Sequence, residues 1–92
     1  MPLHIITVGD DTDHGGKVIT GSPTHSIAGR AIARLGDLVD CPKRYPGGRL
    51  HGVNPIVEGH PSYSVDGKPV AVDGNQTDCG CKLIGSVSAT VD

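Results

Sequence analysis

Apolar residues in this chain come in short bursts separated by glycine-rich polar turns, and no window of useful length repeats them every 3.6 residues as a helix would. The stretch Ile27 to Leu35 has the alanine content of a helix. Its counterpart Val65 to Val72 contains Gly67 and Pro69, which a shared helix does not tolerate, so both read as strands. Ala28-Gly29 and Asp66-Gly67 read as two-residue hairpin turns between short β-branched strands. Asp66-Gly67 is the stronger signal, because Asp-Gly suits the positive-φ positions of a type I′ turn. The pattern predicts an all-β fold without long helices.

The bursts repeat. Residues 22–33 align without a gap on residues 60–71, with Pro, Ser, Gly and Ala recurring in place. A six-residue box, G-x-x-x-D-(H/C), occurs three times: Gly9 to His14, Gly36 to Cys41 and Gly74 to Cys79. The third box also follows the first beyond its end, with Lys82-Leu83-Ile84 over Lys17-Val18-Ile19. Short strands and turns repeated about three times around an axis are the expected architecture, with pseudo-threefold symmetry. The second repeat carries an insertion, Pro42 to Leu50, with Pro46-Gly47-Gly48 as a loop signal. After it, His51-Gly52 resumes a phrase like His14-Gly15.

Composition makes this a fold in need of a staple. The chain has 92 residues, no Phe, no Trp and two Tyr, while 14 Gly and seven Pro thin the material that a core could bury. One domain spanning residues 1–92 is expected. A chain this small buries only roughly 60–65% of its unfolded surface, and without large aromatic side chains the balance is worse than usual. Disulfides are a poor staple, because the cysteine count is odd and the opening residues lack the basic and apolar regions of a secretory signal. Folding in a reducing cytosol is expected, where clustered Cys and His more often mean metal. A net charge of −2 with scattered Lys and Arg argues against nucleic acid or an anionic membrane surface as the main partner.

The repeat selects four candidate metal ligands. His14, Cys41 and Cys79 fill the same slot of the three boxes, and His51 begins the repeated His-Gly phrase. Two thiolates and two imidazoles in a tetrahedral set suit one Zn²⁺ per chain. Cys81 aligns with Gly16 and is expected not to ligate. His25 and His60 fall on the strand side of the repeat and read as packed or solvated. Asp13, Asp40 and Asp78 either orient ligands or form turns, and Asp10, Asp37 and Asn75 read as turn formers.

These residues resemble the PAAR-repeat family, named for a proline-alanine-alanine-arginine motif. The likeness rests on Gly9-Asp10-x-Thr12-x-His14-Gly15-Gly16, Gly29-Arg30-x-x-Ala33-Arg34-x-Gly36-Asp37, Cys41-Pro42, Asp66-Gly67-Lys68-Pro69-Val70-Ala71 and Cys79-Gly80. Lys68-Pro69-Val70-Ala71 is the closest copy of the namesake motif, whereas Arg30-Ala31-Ile32-Ala33-Arg34 lacks its proline. The resemblance implies a cone with zinc near its sharp tip and a flat base seated on the trimeric, VgrG-type β-helical spike of the bacterial type VI secretion system. It implies one chain per trimer, a monomer when free, and delivery by the apparatus out of the cell or into a target cell. It also implies a part in membrane piercing and effector delivery, with effector proteins as further partners, and a single PAAR-like domain over 1–92 with no effector extension. Family ligand sets richer in His occur, which makes His60 the reserve ligand. An adaptor presenting a separate toxin to the spike is the alternative function. A small zinc hydrolase is less favoured, because catalytic zinc keeps an open position and the alignment supplies four ligands.

Overall fold

The structure, a computed structural model, describes residues 3–44, 46–86 and 89–91. Among the described residues there is no helix, and the all-β expectation holds. Two-residue strands dominate: β1 (Leu3–His4), β2 (Asp11–Thr12), β3 (Lys17–Val18), β4 (Ser26–Ile27), β5 (Arg30–Ala31), β8 (Ser64–Val65), β9 (Lys68–Pro69), β10 (Leu83–Ile84) and β11 (Thr90–Val91). Among the described residues only β6 (Leu38–Arg44) and β7 (Leu50–Pro55) are longer.

Three segments, around Ile6, Ala33 and Ala71, meet in a closed triangle. The Ile6 N–H donates to the Ala71 carbonyl at 3.0 Å, Ala71 to Ala33 at 3.0 Å, and Ala33 back to Ile6 at 2.9 Å. Bridges Ile5↔Val72, Thr7↔Ile32 and Arg34↔Val70 join the same three segments pairwise. Each repeat then makes the same turn. Gly9, Gly36 and Gly74 have φ of 93°, 91° and 88°, a left-handed conformation that glycine adopts without steric cost. The side chains of Asp10, Asp37 and Asn75 each accept the backbone N–H three residues earlier, all at 2.8 Å. These residues are turn formers, as their types indicated.

Two of the triangle's corners carry hairpins, β4–β5 and β8–β9, closed by the turns read in the sequence. Ala28 and Asp66 have φ of 53° and 54°, and Gly29 and Gly67 have φ of 78° and 77°, as a type I′ turn requires. The third corner is assembled from distant parts of the chain: β1 pairs with β11, Leu3 opposite Val91 and His4 opposite Thr90. The equivalence is close, because Ile5, Ile32 and Val70 donate to Ala89, His25 and Tyr63 respectively.

The rest of the chain forms an antiparallel sheet ordered β10-β2-β3-β6-β7. Bridges Ile56↔Thr77 and Gln76↔Lys82 continue it from β7 back toward β10, so the sheet curls round the threefold axis and covers its own edges. Inside it lie Ile6, Val18, Ala33, Val39, Ile56, Ala71 and Leu83, with a second cluster of Ile5, Ile32, Val65, Val70 and Val72 toward the hairpins. Both clusters are built from side chains no larger than leucine. Of the insertion over 42–50, β6 takes 42–44 and β7 starts at Leu50, with a bulge between Cys41 and Arg44, and the Pro46-Gly47-Gly48 signal falls in the turn at the apex. Pairing with β7 carries the segment outward despite its glycine-rich apex.

Candidate metal centre

The donors gather where the curled sheet narrows to the tip. His14 sits in the turn between β2 and β3, fixed by the Thr12 hydroxyl, which accepts from the His14 and Gly16 backbone N–H groups. Cys41 points inward from β6 and is buried, and His51 lies almost opposite it on β7, where Cys41 pairs with Gly52. The Asn54 amide donates to the His51 and Gly52 carbonyls and holds that stretch of β7.

The fourth donor in reach is Cys81. His14, Cys41, His51 and Cys81 each offer an atom within 4.8 Å of the others. His14 Nδ1 is 3.0 Å from Cys81 Sγ and 3.9 Å from Cys41 Sγ, and His51 Nδ1 is 3.5 Å from Cys41 Sγ. Ligands on one tetrahedral Zn²⁺ stand roughly 3.3–3.8 Å apart along the edges, given Zn–S and Zn–N bonds of about 2.3 and 2.0–2.1 Å. The Cys41 and Cys81 sulfurs are closer, at 2.6 Å, yet beyond the ~2.05 Å of a disulfide, and both thiols are free. The two imidazoles meet edge to face with centroids 5.9 Å apart. The donor chemistry, two sulfurs and two ring nitrogens converging at a half-buried point, fits a structural zinc.

Cys79, expected from the box alignment, stands beside this group of four, 3.3 Å from Cys81 Sγ and 3.1 Å from the Thr77 hydroxyl. The threefold frame explains the difference. The Thr12 N–H donates to the Gly16 carbonyl, and the Thr77 N–H donates to the equivalent Cys81 carbonyl. The Gly16 slot therefore faces the axis. A Cβ on Gly16 would lie 2.3 Å from the Asp40 carbonyl and 3.2 Å from Cys41 Cα, so the first repeat must leave the slot empty. The third repeat fills it with Cys81. An alignment that paired Cys81 with a glycine pointed away from it for that reason.

Electrostatics separates the two neighbours. Burial, together with the Cys41 and Cys79 sulfurs, pushes the Cys81 thiol well above its ordinary range in the metal-free chain. Partial burial works in the same direction on Cys79, but the Thr77 hydroxyl, the Cys81 backbone N–H and side chain, and His51 outweigh it and lower that thiol to about 7. A cation at the centre reverses the argument for Cys81, since a coordinating thiol is deprotonated outright.

The other candidates lie elsewhere. His60 is buried against Val70 and accepts the Ser62 N–H on Nδ1 at 3.1 Å, apart from the four donors. His25 is exposed beside Thr24 and Asp66. Asp13 is 3.7 Å from His14 Nε2 and accepts the Lys82 N–H, so it biases the charge around that ring while tying two repeats together. Asp40 and Asp78 are exposed.

A family model described as the PAAR motif matches residues 8–85. The chain belongs to the PAAR family. No curated protein matches it. The match runs from Val8, beside the first glycine box, to Gly85, just past β10, so all three boxes and the four clustered donors fall within the PAAR frame. A tip holding four His and Cys residues able to take a metal ion accords with that membership.

Proposed function

We propose that this chain caps the blunt end of a trimeric, VgrG-type β-helical spike of the type VI secretion system and sharpens it, turning over no substrate. The observation that carries the reading is the closed triangle of Ile6, Ala33 and Ala71 hydrogen bonds, flanked by three equivalent strand pairs. A single chain with three equivalent corners matches a threefold end without itself trimerising. The open strand ends of a β-helix are a liability unless covered, and three short strand pairs are a fitting cover.

The tip in this reading is held by one Zn²⁺ on His14, Cys41, His51 and Cys81. Bound there, the ion supplies no chemistry beyond tetrahedral coordination, worth roughly 10–16 kcal/mol in structural sites. The chain's residues do the rest: Thr12 fixes the His14 turn, and β6 and β7 present Cys41 and His51 from one ladder. Four protein ligands leave no open position for a reactive water. Assembly in the bacterial cytoplasm and export with the spike complete the proposal.

Native mass spectrometry of the chain mixed with its cognate spike tests it. One chain per spike trimer is the expected stoichiometry, with binding lost when the β4–β5 and β8–β9 turns are lengthened. Three chains per trimer, or no complex at micromolar concentration, would remove the tip reading and favour an adaptor.

A further inference from the structure

The longest hairpin carries a feature that neither the threefold frame nor the metal requires. Between Asp40 and Glu58 the sequence has no acidic residue but three cations, Lys43, Arg44 and Arg49, so this stretch has a formal charge of +3. The other five basic and ten acidic residues leave −5 on the rest of the chain. The scattered distribution expected from the sequence is thus a polarised one in the fold. The cations lie at the far end of the hairpin, because β6 continues three residues past the ligand-bearing position 41 and the chain turns back over 46–49.

All three cations are exposed, and among the described residues none pairs with a carboxylate. Lys43 Nζ lies 3.5 Å from His14 Nε2, and Arg44 donates to the Gly48 carbonyl across the apex. Apolar side chains stand among them. Leu50, opposite Arg44 in the ladder, is 50% exposed, and Val53 is 53% exposed. Cations beside exposed aliphatic side chains on a projecting ribbon fit the boundary of an anionic bilayer, where phosphates neutralise the former and the acyl edge receives the latter. Nucleic acid would reward the cations alone.

We infer that the β6–β7 hairpin is a membrane-surface contact that binds anionic phospholipid, with Lys43, Arg44 and Arg49 at the headgroups and Leu50 and Val53 at the acyl boundary. The contact belongs to the free chain and does not depend on the spike, so its test stands apart from that of the capping role.

The test is co-sedimentation of the zinc-loaded full chain with vesicles of phosphatidylcholine alone or mixed with phosphatidylglycerol. Binding should rise with the phosphatidylglycerol fraction and fall with added salt, as the Debye length shortens toward ~3 Å at 1 M. Replacing Lys43, Arg44 and Arg49 by Ser should weaken partitioning about a hundredfold, at roughly fivefold per cation near the surface. Replacing Lys17, Lys68 and Lys82 by Ser removes the same charge elsewhere and should leave it within a few-fold. The chain has no tryptophan, so Leu50→Trp gives a clean probe whose emission should shift to the blue on mixed vesicles only. Metal content and melting of each variant confirm that the fold is intact. Equal binding to both lipid mixtures, no binding, or equal losses in the two triple variants would overturn the inference. So would hairpin-dependent binding to duplex DNA in the absence of vesicle binding.

Discussion

The Ile6 N–H and the Ala71 carbonyl, 3.0 Å apart, bind residues 65 positions apart into the centre of the fold. All three residues of the triangle are fully buried, and Ile6 is the large one among two alanines. The axis therefore has room for one branched side chain. Ala71→Leu should cost about 1–3 kcal/mol through overpacking, and Ile6→Ala about 2–5 kcal/mol through the cavity it leaves. Combining Ile6→Ala with Ala71→Ile conserves volume and should recover part of the loss. Denaturant titration at fixed metal occupancy reads all three; a double variant no better than the sum of its singles would show that the axis is not the packing constraint.

The two closed hairpins differ in what their turns are asked to do. Ala28 holds φ of 53°, where a Cβ costs roughly 1–2 kcal/mol, while Asp66 holds the same conformation with a side chain suited to it. Ala28→Asn should therefore raise stability by about 0.5–1 kcal/mol, measured by thermal unfolding. No gain would mean that the neighbouring structure has already absorbed the strain.

Asp66 also ties its turn to the 22–25 loop, accepting from the Ser22 hydroxyl at 2.5 Å, the Thr24 hydroxyl at 2.7 Å and Arg34 at 3.2 Å. Those hydroxyls, with smaller help from His25 and Arg34, hold its carboxyl below the usual carboxylate range. A carboxyl lowered on folding stabilises fully above its unfolded value, near pH 4, and loses that contribution as pH falls through its lower folded value. The stability difference between the native chain and Asp66→Asn should be constant at neutral pH and shrink below about pH 4. Both proteins carry the same metal donors, so the acid sensitivity of the metal cancels in the difference. A difference that does not change with pH would exclude this linkage.

At the tip the discriminating pair is Cys81 and Cys79. Cys81→Ser should weaken zinc binding on the order of a hundredfold, about one ligand's share of a structural site, and lower the melting temperature accordingly. Cys79→Ser should keep about one zinc per chain. Elemental analysis after dialysis against a weak chelator separates the two, and the opposite ranking would return Cys79 to the site. A strong chelator should unfold the native chain cooperatively.

The local parts of this fold were readable because each rests on a few adjacent residues. Ala28-Gly29, Asp66-Gly67 and the three glycine boxes announce their turns through conformations that few residue types adopt. The repeat then implied threefold symmetry and brought His14 and Cys41 to one end. What the repeat concealed were the places where the copies must differ. Gly16 and Cys81 occupy equivalent positions with opposite contents because the axis admits a side chain there from one repeat and not from the other. The cationic hairpin belongs to the one repeat with an insertion, so no second copy could reveal it. The partnership of β1 with β11 depends on residues 88 positions apart, such as Leu3 and Val91, and no turn signal marks it.

That last pairing gives a prediction with its own internal controls. The Ile5 N–H donates to the Ala89 carbonyl at 2.9 Å, and its equivalents Ile32 and Val70 donate to His25 and Tyr63 at 3.1 and 2.9 Å. Deleting residues 89–92 removes one of the three acceptors and leaves the other two hairpins covalently closed. Ile5 is buried, so its orphaned N–H should cost about 1–3 kcal/mol locally. Amide exchange at Ile5 should accelerate about tenfold or more, while Ile32 and Val70 keep most of their protection. Equal acceleration at all three would mean that the triangle opens only as a unit. Unchanged exchange at Ile5 would mean that β11 closes nothing, and the third corner would have to be held by the Ile5↔Val72 bridge alone.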